Sequence, residues 1–346
     1  MSGCEDDHIT VKDGMRFEST QGDLHSPYVL GAQTIIVVAR TKGPLDGWSL
    51  VASDPNVIRL SNPEQSGSFI LSAQCEAVGV GTTDLQLLDG DGHVRATRTI
   101  EVKAPDWITL VPADHRLVMG PDSPNLPVFN PNEVIHLVNA NSVTFRVRYY
   151  AGATLLHGNK AVTLETSDSG LVGDSETTYQ NNEGEWITLT PEALGTYDLK
   201  VGVPGGTMQP FSVTILSADA VDHLGLVAQD TKDLKTGERF YLLARAYDDE
   251  HFELFGAPFD WTIDDPDVEP PKDREDLLQL PYKDFWADYY HVTVTSGEAS
   301  VDRYIHMKDG RVTTSATCST APASGFLPLL LALAGILLVW RRKQRA

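Results

Sequence analysis

The run Ala77-Val-Gly-Val-Gly-Thr-Thr-Asp-Leu-Gln-Leu-Leu88 places a glycine-rich corner directly before a segment of alternating apolar and polar residues. A related run, Ala193-Leu-Gly-Thr-Tyr-Asp-Leu-Lys-Val201, occurs later, and its Gly195 lies 114 residues after Gly81. Alternation with period two is typical of a strand with one buried face. The chain therefore contains an internal repeat of β-strand units.

The elements before each corner also recur in the same order. Asp54 and Asp168 each lie in a turn after a short strand, and they too are 114 residues apart. In a Ser-Asp-Pro or Ser-Asp-Ser turn, the aspartate is expected to hydrogen-bond to its own backbone. The strand-like segments of the two copies are Gln33–Arg40, Trp48–Val57 and Gly81–Leu88, then Ser142–Tyr150, Val162–Leu171 and Gly195–Val201.

A third, divergent copy follows. Asp265-Pro266 corresponds to Asp54-Pro55, but no Gly-Thr corner comes after it. Residues 269–283 are interpreted as an insertion before the closing strands. The strand-like segments of this copy are Arg239–Tyr247, Phe259–Val268, Tyr289–Thr295 and Ser300–His306.

Strand residues two apart, such as Trp48 and Leu50 or Phe259 and Trp261, are expected to form the core. The Ser-Asp-Pro turn and the Ala77–Thr82 corner resemble those of bacterial Ig-like domains, which implies β-sandwiches. The expected fold class is all-β, with tandem Ig-like β-sandwiches followed by a single C-terminal transmembrane helix. The expected domains are 8–103, 104–217 and 218–310, after an N-terminal segment 1–7 and before a linker 311–324, a transmembrane helix 325–340 and a basic cytoplasmic tail 341–346.

Residues 325–340 contain no charged or polar side chain other than the interfacial Trp340. Extended back to Ala321, the run reaches the roughly 20 residues that a helix needs to span a bilayer. The basic cluster that begins at Arg341 predicts a cytoplasmic tail and an outward-facing body.

The end of the chain also resembles a known sorting signal. Cys318, a Ser/Ala/Pro spacer, Gly325, Pro328 and the terminal arginines are similar to the MYXO-CTERM signals of myxobacterial surface proteins. That resemblance implies recognition by an intramembrane sorting protease and makes Cys318 a candidate processing or lipidation site. An uncleaved single-span anchor is the alternative.

Residues 1–8 contain neither the basic segment nor the apolar segment of an export signal. Met1-Ser-Gly-Cys4 resembles the end of a bacterial lipoprotein signal, so Cys4 is a second lipidation candidate. One hypothesis is that the true start codon lies upstream and the signal has been lost from this reading frame. A genuine start at Met1 is the alternative.

Composition and charge narrow the function classes. The 346 residues are 41% hydrophobic and 22% charged, which is typical of globular domains rather than of disorder or a multi-span membrane protein. The net charge of −21 argues against nucleic acid as a partner, because phosphate neutralisation needs a basic surface.

Catalytic motifs are absent from the sequence, so the chain is expected not to be an enzyme. Asp89-Gly-Asp-Gly-His93 admits weak calcium ligands at Asp89 and Asp91, but a hairpin turn explains the same residues without metal. The acidic runs 248–250 and 264–267 have the same two interpretations. No cofactor other than calcium is expected, and Cys75 is interpreted as a small buried hydrophobe.

The sequence therefore predicts an envelope-anchored, outward-facing structural or adhesive protein with its body on the periplasmic or extracellular side. The alternative is a receptor-like or carbohydrate-binding surface module. The expected partners are the membrane, the sorting protease implied by resemblance, and a protein or glycan ligand that the sequence does not identify.

Overall fold

The computed structural model describes residues 15–19, 22–23, 26–40, 44–121, 123–177, 185–202, 206–229, 234–271, 276–283, 289–309 and 311–316. Within them 60% of residues are in strands and 4% in helices, which confirms the all-β prediction. Six sheets form three successive sandwiches along the chain.

The first sandwich packs a five-stranded sheet against a four-stranded sheet. Its strands are β1 (Met15–Ser19), β2 (Gly22–Asp23), β3 (Tyr28–Val29), β4 (Gln33–Arg40), β5 (Ser49–Ala52), β6 (Ile58–Ser66), β7 (Ile70–Ala77), β8 (Gly81–Leu88) and β9 (Val94–Lys103). The sheet orders are β2-β1-β4-β7-β6 and β3-β9-β8-β5. The strand β3 runs parallel to β9, and the other pairs are antiparallel.

The second sandwich repeats this plan. Its elements are β10 (Trp107–Pro112), α1 (Ala113–Met119), β11 (Val134–Val138), β12 (Val143–Ala151), β13 (Thr154–Leu156), β14 (Thr163–Thr166), β15 (Leu171–Thr177), β16 (Glu185–Pro191), β17 (Gly195–Gly202) and β18 (Gln209–Leu216). The orders are β10-β12-β16-β15, with β13 on β12, and β11-β18-β17-β14. Here β11 is parallel to β18, as β3 is to β9.

The third sandwich follows a 3-10 turn at Ala218–Ala220. Its strands are β19 (His223–Ala228), β20 (Arg239–Tyr247), β21 (Glu253–Leu254), β22 (Asp260–Ile263), β23 (Leu277–Pro281), β24 (Tyr289–Ser296), β25 (Ala299–Lys308) and β26 (Arg311–Ala316). One sheet joins β19, β21 and β23 to β20, and the other has the order β22-β24-β25-β26.

Two predictions for this copy are wrong. The segment 269–283 is not simply an insertion, because Leu277–Pro281 forms β23, whose Leu278 and Leu280 are fully buried against β20. The predicted linker 311–324 begins too early, because residues 311–316 form β26 on the edge of β25. Both strands are short or polar, so neither produces a strong alternation pattern.

The first two sandwiches are joined without an intervening linker. The Val29 amide donates to the His157 carbonyl at 2.9 Å, and the Gln33 amide donates to the Asn159 carbonyl at 2.9 Å. Buried residues of both sandwiches form one continuous hydrophobic cluster. Burial of shared apolar surface therefore stabilises the two sandwiches together.

The third sandwich contributes one residue to that same cluster. Phe255, just after β21, donates its amide to the His136 carbonyl at 2.9 Å and accepts the Val138 amide at 2.8 Å. Its ring packs edge-on against Phe129 and Phe145, with centroids 5.5 and 6.0 Å away. Phe255 thus links the third sandwich to the core of the second.

Among the described residues, no helix is both long and apolar enough to cross a membrane. The predicted transmembrane helix 325–340, the tail 341–346 and the candidate sites Cys4 and Cys318 lie outside the residues that the structure describes.

Candidate functional site

The Asp turn is present in all three sandwiches. The Oδ1 atoms of Asp54, Asp168 and Asp265 accept the amides of the residues two positions later, at 2.9, 2.7 and 2.9 Å. The side chain of each aspartate replaces a backbone partner and closes the turn. The predicted self-capping is confirmed, and it aligns the three repeats residue by residue.

The residue before each turn aspartate shows where the third repeat diverges. In the first repeat, Ser53 Oγ accepts the Asp84 amide at 3.0 Å. The second repeat has the same bond between Ser167 and Asp198, at 3.1 Å.

In the third repeat, Asp264 takes the serine position, and its carboxylate contacts His291 Nδ1 at 2.9 Å. The Asp264 amide donates to the His291 carbonyl, just as the Ser53 and Ser167 amides donate to the Asp84 and Asp198 carbonyls in the first two repeats. His291 therefore occupies the position of Asp84 and Asp198.

This change belongs to a larger surface, here called the aromatic face, formed by Tyr289, His291, Tyr304 and His306. These side chains lie on the outer side of β24 and β25, where Tyr289 is directly opposite His306 and His291 is opposite Tyr304. Residues directly opposite on one face of an antiparallel pair are in contact range. Tyr289 is 55% exposed, so much of its ring faces solvent.

The rings of the aromatic face contact one another. His291 stacks on Tyr304 with centroids 4.8 Å apart and planes 29° apart. Tyr289 meets Tyr304 edge-on at 5.1 Å. His306 Nε2 lies 2.8 Å from Ser315 Oγ on β26. This hydrogen bond holds the exposed imidazole at the edge of the aromatic face next to β26.

Matched register positions in the other two sandwiches carry no aromatic side chain. The pairing of β8 with β9 and of β17 with β18 identifies these positions through Asp84 and Asp198. They are Thr82, Asp84, Thr99 and Glu101 in the first repeat and Thr196, Asp198, Ser212 and Thr214 in the second. The aromatic face is therefore a property of the third repeat alone.

His291 lies between two carboxylates, since its Nε2 is also 2.6 Å from Asp302 Oδ1. The hydrogen bond to Asp264, with the nearby charges of Asp302 and Asp264, raises the pKa of His291 above its usual 6.5. Burial acts in the opposite direction and is outweighed. The imidazolium form is favoured at this position.

We expect NMR titration to give His291 a pKa above 6.5. Because the pKa of His291 is higher in the folded state, the charged imidazole stabilises the fold fully at pH values below the ordinary pKa of histidine. This stabilisation is lost as the pH rises through the pKa of His291 in the folded state. Asp264→Asn should lower the pKa, because it removes the first hydrogen-bonding carboxylate. Asp174→Asn, an exposed change in the second sandwich, is the control and should leave it unchanged. A wild-type pKa at or below 6.5 would contradict the geometry.

The weak calcium candidates lie in the hairpin between β8 and β9. Asp89, Asp91 and His93 have potential ligand atoms within 4.8 Å of one another. However, Asp89 Oδ1 accepts the amides of Asp91 and His93, and its Oδ2 accepts Arg95 Nε at 2.6 Å.

The His93 amide and the Arg95 guanidinium lower the pKa of Asp89 to about 2. Because protein donors already engage both carboxylate oxygens, a cation would have to compete with Arg95. The arrangement is that of a closed hairpin turn, with Gly92 at φ +83°.

Protein groups also partner aspartates in each of the acidic runs 248–250 and 264–267. Asp248 Oδ1 accepts the Phe252 amide at 2.8 Å, and Asp265 pairs with Lys283. Cys75 is buried, and burial together with the Glu76 charge raises its pKa to about 12. The interpretation of Cys75 as a small buried hydrophobe is confirmed, since its side chain lies in the hydrophobic cluster of the first two sandwiches.

The glycine-rich corner depends on a close backbone approach. A Cβ atom on Gly79 would lie 2.2 Å from the carbonyl oxygen of Asn56. Gly79→Ala is therefore expected to destabilise the protein by about 1–3 kcal/mol through overpacking. In Gly90→Ala, the control, the new Cβ would be 3.8 Å from its nearest neighbour. Equal urea midpoints for the two variants would contradict the proposed steric role of the corner.

A buried ionic cluster joins the second and third sandwiches. Glu253 accepts Arg245 Nε and Nη2 at 2.6 Å each, and His115 Nε2 lies 2.6 Å from the same carboxylate. His115 is on α1 of the second sandwich, whereas Glu253 and Arg245 belong to the third. Their side chains are 6%, 11% and 18% exposed, so the cluster is largely desolvated.

Burial alone would raise the pKa of Glu253, but hydrogen bonds from Arg245 and His115 outweigh burial and lower it. Glu253 is therefore a carboxylate at neutral pH. Beside the cluster is a cavity of about 10 Å³, lined in part by Pro112 and Thr144 of the second sandwich. That volume is the size of one water molecule, not of a substrate.

No protein-family model and no curated protein matches this chain. Solved structures that resemble it include the S-layer protein rSbsC(31-844), with 12% identity and a TM-score of 0.36 over 89% of this chain. The chain spans 40% of the length of that protein.

Two adhesins are also similar. FdeC of Escherichia coli has 12% identity and a TM-score of 0.24, over 87% of this chain and 96% of that one. InvE of Yersinia pseudotuberculosis has 12% identity and a TM-score of 0.23, over 67% of each chain. TM-scores this low establish neither a shared fold nor a shared function.

Proposed function

We propose that the chain is a non-enzymatic structural or adhesive protein of the bacterial cell envelope, with its three sandwiches displayed outside the membrane. The observation that carries this proposal is the direct joining of the sandwiches. Phe255 and the Glu253 cluster connect the third sandwich to the second, and a shared core connects the second to the first. Direct packing of this kind suits a structural or adhesive role, because a shared core limits the motion of one sandwich relative to the next.

The non-enzymatic assignment rests on the surroundings of the polar groups. In the described part of the chain, His306 and Ser315 form a hydroxyl–imidazole pair, but both lie exposed on an open sheet. Acyl-transfer sites instead place such a pair in a cleft, with preorganised donors for the developing oxyanion. The arrangement around His306 and Ser315 suits surface recognition better than catalysis.

Anchoring and orientation are proposed from the apolar run 325–340 and the basic cluster after it. Processing or lipidation at Cys318 and lipidation at Cys4 are parts of the same proposal. The acidic composition suits a displayed body, because strong net charge resists self-association.

Accessibility on intact cells tests the display. An epitope inserted at the exposed β6–β7 turn beside Gly67, where an added Cβ atom would have no neighbour within 4 Å, should be labelled without permeabilisation. A second epitope after Ala346 should be labelled only after permeabilisation, or be lost if the sorting signal is cleaved. A Gly67 epitope that stays hidden on intact cells would overturn the proposal.

A further inference from the structure

We propose that the aromatic face of the third sandwich is a binding site for a neutral glycan, one sugar ring of which stacks on the exposed ring of Tyr289 while Tyr304 supports that ring from the side. This inference rests on the proposed display role, because a displayed sandwich is what brings the face to a glycan. The contacts of the face, the comparison among the repeats, and the charge around it each support the assignment.

The internal repeats provide the comparison. Four matched positions are threonine, serine, aspartate or glutamate in the first two sandwiches and tyrosine or histidine in the third. All three sandwiches have the same strand pairing at these positions, so the fold does not require aromatic side chains there. Cross-strand contacts also leave 55% of the surface of Tyr289 in solvent, so much of its ring is free to contact a ligand.

The rings are held in place before any ligand arrives. Asp264 and Asp302 hold the two nitrogens of His291, and His291 in turn stacks on Tyr304. Tyr289 rests edge-on against Tyr304. Fixed rings lose little conformational entropy on binding, so more of the contact energy contributes to affinity.

The groups around the rings select the class of ligand. Of the large exposed hydrophobic side chains in the described residues, Tyr289 is the one on this face. Polar side chains border the face: Asp302 contacts His291 and Thr293, and Ser315 contacts His306.

A pyranose ring has an apolar C–H face that packs on an aromatic ring, and hydroxyl groups that bond to such polar neighbours. A protein partner would instead favour an apolar interface centre.

Charge then distinguishes between glycans. The carboxylates of Asp264 and Asp302 border the face, and the whole chain carries a net charge of −21. An acidic polysaccharide would be repelled by this field, whereas a neutral one would not.

Calorimetric titration of the full-length protein, in a non-ionic detergent without a sugar headgroup, tests the site. The probes are hexasaccharides of β-1,4-glucan, α-1,4-glucan and β-1,4-mannan, with oligogalacturonate as the acidic comparison. We expect at least one neutral probe to bind and oligogalacturonate to bind more weakly. No binding by any neutral probe, or tighter binding of oligogalacturonate, would overturn the proposal.

The variants are taken from the repeats themselves. Tyr289→Thr and Tyr304→Ser introduce the residues that the second sandwich has at the matched positions, Thr196 and Ser212. Each should weaken binding about tenfold or more, the size expected for a tyrosine hot spot.

The matched control is Tyr150→Thr, which removes a stacked aromatic residue from the second sandwich, 4.4 Å from Trp107. It should leave binding unchanged, and loss of binding in this control alone would place the site elsewhere. Thermal unfolding and labelling of the Gly67 epitope show that each variant folds and is displayed. A displayed protein that binds no glycan therefore refutes this inference and not the display role.

Discussion

Replacing Phe255 with alanine is expected to destabilise the protein by about 3–5 kcal/mol, the range for loss of a buried aromatic side chain. Phe255 is 4% exposed and packs against Phe129, Phe145 and His115 of the second sandwich. Because the residue itself belongs to the third sandwich, its loss should also weaken the coupling between the two. Urea unfolding, monitored by tryptophan fluorescence, measures both the loss of stability and the weaker coupling between the two sandwiches.

The matched control is Phe252→Ala in the same segment. Phe252 is 52% exposed, although its ring also meets His136 at 5.0 Å. Its removal should cost well under about 1 kcal/mol, as is usual for surface substitutions. Similar unfolding midpoints for the Phe255 and Phe252 variants would show that Phe255 does not join the sandwiches.

Glu253→Ala is expected to cost about 3 kcal/mol, near the lower end of the range for breaking a buried ion pair. The change leaves Arg245 and His115 without their shared acceptor in a largely desolvated site. Because folding lowers the pKa of Glu253, its ionised carboxylate should stabilise the folded wild-type protein at pH values above the ordinary pKa of glutamate. This stabilisation should decline as the pH falls through the lowered pKa.

An exposed ion pair gives the control for Glu253. Arg59 and Glu76 pair at 3.2 Å on the first sandwich with side chains 63% and 41% exposed. Glu76→Ala should therefore change the free energy of unfolding by less than about 1 kcal/mol. If the two variants lost equal stability at neutral pH, the Glu253 cluster would not be a structural joint.

Repetition made much of the fold predictable. Gln33–Arg40, Gly81–Leu88 and Arg239–Tyr247 form strands with the bounds that the sequence predicts. In the first two copies the same turn and corner recur at one offset of 114 residues, which made Gly81–Leu88 predictable. The missed strand β23 has only five residues and lies in a proline- and acid-rich segment, so burial against β20 determines its structure rather than local preference.

The aromatic face and the Glu253 cluster could not be predicted from the sequence repeats. His115 and Glu253 are 138 residues apart, and only tertiary packing brings them together. The aromatic face had a weak signal, since Tyr289 and His291, and likewise Tyr304 and His306, are two residues apart and so share a strand face. Recognising it required the pairing register of β24 with β25, which places the two pairs side by side.

The joining of the sandwiches is tested most directly by the distance distribution between spin labels in the first and third sandwiches. Ser68→Cys and Glu298→Cys introduce exposed label sites, with Cys4 and Cys318 replaced by serine and buried Cys75 left in place. Double electron–electron resonance should give one narrow distance distribution, which Phe255→Ala broadens. A broad wild-type distribution that Phe255→Ala leaves unchanged would contradict the direct joining of the three sandwiches.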